Sequence, residues 1–365
     1  MPPRNDYLSA PHDKQLILNQ TTVSRKYFMP SPIDVLAGNI VNTFERPKGL
    51  FNEILKDSVH SGILDAHINY MDIDDVPSAP RVTAPFLEDG RHGPAEIFLY
   101  RSHLELLWSF TYGMVVVYEE CVQRAMLDNK FDGRLIFDRP LTQRAKSLLD
   151  WSVGLHRGYT NWPEALPSPT FQADVQEADY ATKVNTIFQE SVATLLYHEF
   201  AHVVAGHLGA PEKSESIAAQ SASIEMESEA DDYAFRSLVS LEDDEYKRRL
   251  KGWSMLSAPL ASLFMVEKLS DIFQLEHPHL HHRIFNILQK LNYRDQQNEF
   301  YYNYLCTIVM GLFLRIYKQD GDVQCSNIEL YETAYDALQS QLDELDALQV
   351  DVDGPAALLR PRCTD

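Results

Sequence analysis

Residues 194–208 read TLLYHEFAHVVAGHL. The apolar residues here recur at helical spacing, and they are dense enough that most of the helix must be buried. Yet three histidines and a glutamate sit among them. Ionisable groups are costly to bury unless something satisfies them. Any fold for this chain must therefore bury this helix and also supply partners for its polar face.

The polar face has a definite pattern. His198-Glu199-Phe200-Ala201-His202 is HExxH. Residues four apart on a helix differ by about 40° in azimuth and about 6 Å in rise, so the two imidazoles lie side by side. Both can present a ring nitrogen to one ion at about 2.1 Å. Glu199 points elsewhere round the helix and is poorly placed as a third ligand. It can reach a water on the open side of a metal, where a general base belongs. His207 is five residues after His202, about 140° away on a continuing helix. It is expected outside the site, capping the helix C-terminus, where a cation is favourable. The bland alternative is a core helix with surface histidines, so the string needs support from elsewhere in the chain.

A catalytic zinc takes three protein ligands and keeps one position open. The third candidate is on the next predicted helix, in EMESEADDYAF (225–235). Glu227 and Asp231 are four apart and share a face. Glu227 can ligate, and Asp231 can accept the spare N–H of a ligand histidine, fixing its tautomer. Glu225 and Glu229 compete with Glu227 for the ligand role.

HExxH followed by a helix carrying ExxxD resembles the gluzincin metallopeptidases, in particular the HtpX and CaaX prenyl protease family. The resemblance implies a zincin-like core of packed helices with a small sheet. It also implies one Zn2+ per chain, held by His198, His202 and Glu227, with Asp231 behind a ligand. EHPHLHHRIFNIL (276–288) is similar to that family's HPxxxxRI segment. This similarity implies that His277 and Arg283 face the active site and stabilise the transition state, as an imidazole donor and a guanidinium can. The resemblance covers about residues 190–290. That family is embedded in membranes, whereas the apolar runs here (Leu106–Tyr118, Trp253–Val266 and Tyr304–Ile316) are shorter than the roughly 20 residues needed to span a bilayer. The layout is also similar to that of the Lit-type phage-exclusion peptidases of bacteria, which implies a role in stress or phage defence.

The rest of the chain sets limits. A net charge of −21 over 365 residues argues against nucleic acid or an anionic membrane as the main partner. A protein or peptide substrate is expected instead; regulatory partners and oligomeric state stay open. The four cysteines are far apart with no CxxC spacing, and the N-terminus has no apolar signal core, so a reduced, cytoplasmic protein is expected.

The fold class expected is mostly α (α+β). Residues 1–20 read as a tail, 21–130 as a mainly helical N-terminal region, 131–325 as the peptidase core, and 326–365 as an acidic C-terminal helix and tail. Helices are predicted over 33–55, 102–127, 142–155, 181–207 and 224–241. AEIFLY (95–100) and RLIFD (134–138) are strand candidates, and 72–93 reads as a long surface loop. The predicted function is that of a zinc metalloendopeptidase with Glu199 as base. The alternative is a regulatory or interaction protein on an inactive scaffold, against which the presence of Glu199 argues.

Overall fold

The computed structural model describes residues 16–20, 31–47, 49–71, 76–87, 91–208, 217–240, 243–266, 268–273, 277–318 and 333–353. The chain is mostly helical with one small mixed sheet. Residues 1–15, most of the expected tail, lie outside the described residues, but Ile17–Gln20 forms strand β1. A 3-10 turn at Pro32–Leu36 leads into α1 (Ala37–Glu45), followed by α2 (Leu50–His60) and strands β2 (Leu64–Met71), β3 (Arg81–Thr83) and β4 (Ala95–Tyr100). The sheet order is β1-β2-β4-β3. β1 and β4 run parallel to β2, whereas β3 is antiparallel to β4, with Val82 opposite Ile97.

Besides β1, the sheet differs from expectation in three places and agrees in one. The AEIFLY strand is present as β4. β2 forms where no strand was expected, with Leu64, Ile68 and Tyr70 buried on one face. β3 interrupts the expected loop as a three-residue edge strand, too short to leave a pattern. RLIFD forms no strand: Ile136 is exposed and no ladder partner lies beside it among the described residues.

The helical layer is built on α3 (Arg101–Val117), every residue of which is buried. A π-helical segment at Tyr118–Gln123 carries it on into α4 (Arg124–Leu127). α5 (Pro140–Gly154) crosses α3 closely at Gly113. α6 (Val175–Val204) starts at an Asp174 N-cap, whose carboxylate accepts from the Glu177 amide, and extends through HExxH. α7 (Ile217–Leu238) and α8 (Glu245–Leu263) pack on α6, and α8 packs on α9 (Leu280–Leu291). α10 (Gln296–Lys318) and α11 (Ala334–Asp353) complete the layer. One hydrophobic cluster runs through sheet and helices, from Leu16 to Leu345.

No helix among the described residues is long and apolar enough to cross a membrane. Cys121 and Cys306 are free and buried; Cys325 and Cys363 lie outside the described residues.

Candidate active site

α6 supplies His198, Glu199 and His202, and α7 supplies Glu227 and Asp231. The turn before α9 supplies His277, and α9 supplies Arg283. The buried side of α6 (Leu196, Tyr197, Phe200, Ala201) is locked into the core. Tyr197 donates to the Phe44 carbonyl across 2.8 Å, and Phe44, Phe200 and Tyr233 surround it edge-on or tilted. This packing fixes the rotation of α6 and so the direction of its two histidines.

His198 Nε2 lies 3.3 Å from His202 Nε2 and 3.2 Å from Glu227 Oε2, and His202 Nε2 lies 3.4 Å from Glu227 Oε1. A tetrahedral ion with bonds near 2.0–2.1 Å has ligand–ligand edges of about 3.3 Å. The two imidazoles and one carboxylate therefore fit a zinc ion in both chemistry and spacing. The three side chains are only 12–13% exposed. Of the three glutamates considered for the third position, Glu227 reaches both histidines. Glu225 is exposed, and Glu229 is turned toward His207.

Partners surround this triad. Asp231 Oδ1 lies 3.0 Å from His198 Nδ1, the position expected of a carboxylate that orients a ligand. Arg283 grips Asp231 with a two-pronged fork: Nε donates to Oδ2 at 2.8 Å and an Nη to Oδ1 at 2.6 Å. Its guanidinium is thus committed to Asp231 along one edge. His277 is 43% exposed, with Nδ1 2.9 Å from Glu227 Oε2.

Glu199 meets a group that the sequence did not point to. The backbone of Val82 on β3 lies close enough to its carboxylate to pull its pKa down, so the outer edge of the sheet faces Glu199. No signal in the sequence marks Val82, which sits in a stretch rich in Pro, Asp and Gly.

His207 also departs from expectation. Its Nδ1 lies 3.0 Å from His202 Nδ1, and its Nε2 lies 3.5 Å from Glu229 Oε2. An azimuth of about 140° from His202 holds only on a helix that continues to residue 207. In fact α6 stops at Val204. Gly206 adopts a positive φ of 74°, and the His207 amide bonds back to the His202 carbonyl at 2.9 Å. The chain folds over its own end and returns the imidazole to the site.

The charges form one coupled set. Burial works against a charge on His198, but Asp231 and Glu227 outweigh it and hold its pKa up to about 9. Burial and the neighbouring His198 push His202 down to about 4. Glu227 and Asp231 stay well below the usual carboxylate range despite burial, Glu227 through His198 and His277, Asp231 through Arg283 and His198. Burial raises Glu199 to about 7, against the pull of His198.

Residues 97–305 match the family described as Peptidase U49. The cell death peptidase of Escherichia coli strain K12 is 26% identical over 223 residues, which are 59% of this chain and 68% of that protein. No solved structure matches the chain.

Proposed function

The chain belongs to the Peptidase U49 family, and from that premise we propose that it is a zinc-dependent endopeptidase of gluzincin type. One observation carries the reading: the donor atoms of His198, His202 and Glu227 converge at tetrahedral spacing beside Glu199. His198, His202 and Glu227 would hold the ion, which when bound supplies Lewis acidity toward water and a peptide carbonyl. Held neutral, the two histidines are ligands, so loading the site removes the proton that His198 otherwise keeps.

Glu199 is the general base. Its carboxylate takes a proton from the attacking water and returns it to the leaving amine. The Val82 backbone lies beside that carboxylate at the edge of β3. His277, the most exposed of these groups, donates to the negative charge that develops on the carbonyl oxygen. Asp231 orients His198, and Arg283 holds Asp231. The fork makes Arg283 a positioning residue first, with its free edge left for substrate. The substrate is a protein or peptide. Similarity to a cell death peptidase supports a role in cellular defence, phage defence included.

The test compares the proteins of cells expressing the wild type with those of cells expressing Glu199→Gln. A cleavage present only with the wild type is expected, while the purified variant keeps its zinc. Cleavage that survives Glu199→Gln removes Glu199 from the mechanism. Glu227→Ala is expected to lose zinc where Glu225→Ala does not, and the opposite result would reassign the ligand.

A further inference from the structure

Beyond the HExxH triad, the chain assembles a second group of metal-ligating side chains. His281 and His282 lie in the first turn of α9, and Asp346 lies on α11. His281 Nε2 is 2.8 Å from Asp346 Oδ1. His282 Nε2 is 3.1 Å from the same oxygen and 3.3 Å from Oδ2. One donor atom from each residue lies within 4.8 Å of the other two.

The convergence is specific. Consecutive residues on a helix point about 100° apart, so their side chains normally diverge. Here both rings turn toward one carboxylate, with centroids 4.3 Å apart. The His281 ring is fully buried. Phe273 meets it edge-on at 5.8 Å, and His279 stacks on it at 5.8 Å with planes 14° apart. These contacts preset one ligand. His282 and Asp346 are each 45% exposed, so the opposite side of the cluster opens to water. A partly hydrated ion could enter there and keep a water ligand.

The donor chemistry selects the kind of ion. Two imidazoles with one carboxylate suit zinc and its transition-metal neighbours, whereas Ca2+ and Mg2+ prefer an all-oxygen shell. The two ring-to-carboxylate separations, 2.8 and 3.1 Å to Oδ1, are a few tenths of an ångström short of the edge of about 3.3 Å that a tetrahedral zinc sets, and the two ring nitrogens lie within 4.8 Å of each other. Without an ion, each ring gives an N–H to Asp346. With an ion, those protons leave and the same atoms ligate.

The geometry points to a second transition-metal site, at which His281, His282 and Asp346 bind Zn2+ and fasten α11 to the start of α9. The site shares no residue with the catalytic triad, and Asp346 lies beyond the segment matched to the family. Its position gives it leverage. His282 is followed by Arg283, whose fork holds Asp231, and His277 is on the approach to the same helix. An ion here clamps that approach to α11, so zinc supply can act on the active site without entering it. Being half open, this site should bind more weakly than the triad.

The test is equilibrium dialysis of full-length protein against micromolar Zn2+, with bound metal counted and folding checked by circular dichroism. The wild type should take up two ions. Asp346→Ala and His282→Ala, both at half-exposed positions, should each take up one. The double variant His198→Ala/His202→Ala should also take up one, and adding Asp346→Ala to it should leave none. Co2+ should give two ligand-field spectra in the wild type and one in each variant. Equal uptake by the wild type and Asp346→Ala overturns the second site, as does loss of both ions from the His198/His202 variant. Uptake of a single ion that disappears with Asp346→Ala and survives in the His198/His202 variant supports this site and overturns the catalytic one.

Discussion

His202 Nδ1 and His207 Nδ1 lie 3.0 Å apart, at the point where α6 ends and the chain turns back on itself. Two ring nitrogens at that distance share one proton, so one ring donates and the other accepts. If His202 ligates through Nε2, its Nδ1 carries the proton and His207 receives it. The Nε2–H of His207 then points toward Glu229. His207 thus does for His202 what Asp231 does for His198.

Removing that support should loosen the ion. His207→Ala is expected to weaken zinc affinity about tenfold or more, as loss of an outer hydrogen-bond partner typically does. Glu229, which is 63% exposed, should matter less. Competition with a chromogenic chelator measures both. Unchanged affinity in His207→Ala would mean that the contact holds nothing in place.

The Arg283–Asp231 fork predicts a different signature. Arg283→Ala leaves a largely buried carboxylate without its cation, and should cost about 2 kcal/mol even in chelator, where no metal contributes. Arg283→Lys should recover only part of this, because an ammonium cannot make both bonds. In a double-mutant cycle the two residues should couple strongly. If Arg283→Ala behaves like a surface substitution in urea denaturation, the fork is not structural.

Glu105 makes stability depend on pH. It is buried on α3, with Ser31 and Tyr159 donating to it. Burial, only partly offset by these bonds and by Arg101, raises its pKa from 4.5 to about 7. The folded state therefore binds this proton more tightly than the unfolded state does. Its contribution to stability is fully present below about pH 4.5 and declines as pH rises toward 7, by about 3 kcal/mol in all. Glu105→Gln should make the decline across that window shallower, leaving the part that Glu199, also raised to about 7, contributes. Urea midpoints at several pH values provide the check, and an unchanged slope would refute the assignment.

Two glycines should respond in opposite directions. A Cβ at Gly113 would sit 2.7 Å from Leu149 Cβ and 3.2 Å from the Ala145 carbonyl oxygen, at the crossing of α3 and α5. Gly113→Ala should destabilise by about 1–2 kcal/mol, overpacking outweighing the gain in helix propensity. Gly311, on α10, has open space around it. Gly311→Ala should stabilise by up to about 1 kcal/mol. Thermal melts of the two variants should shift in opposite directions.

The helices were legible in the sequence because their apolar periodicity is long. That is why α5, α6 and α7 are found close to their expected places, and why the spacing within HExxH and ExxxD already put His198 with His202, and Glu227 with Asp231, on shared faces. The sheet was less legible. β2 does alternate, with Leu64, Ala66, Ile68 and Tyr70 apolar and Asp65, His67 and Asn69 polar, whereas the three residues of β3 are too few for a pattern and are held by pairing with β4 rather than by any propensity of their own. Val82 was invisible for that reason. His207 lies nearer the site than helical spacing implies, because Gly206 turns the chain back just past the end of α6. The pairing of His281 and His282 with Asp346 was beyond reach, since nothing in a sequence brings α11 to the start of α9.

The order in which the chain leaves the ribosome bears on its safety. α6 emerges with His198, Glu199 and His202, but Glu227 and Asp231 follow on α7, and the segment with His277 and Arg283 comes later still. Domains of this size fold as units during synthesis, from the N-terminus onward. A nascent chain that has exposed only HExxH lacks Glu227, the Asp231 carboxylate beside His198 and the Arg283 fork that holds it. The machinery for cutting other proteins is therefore assembled only after α9 has docked.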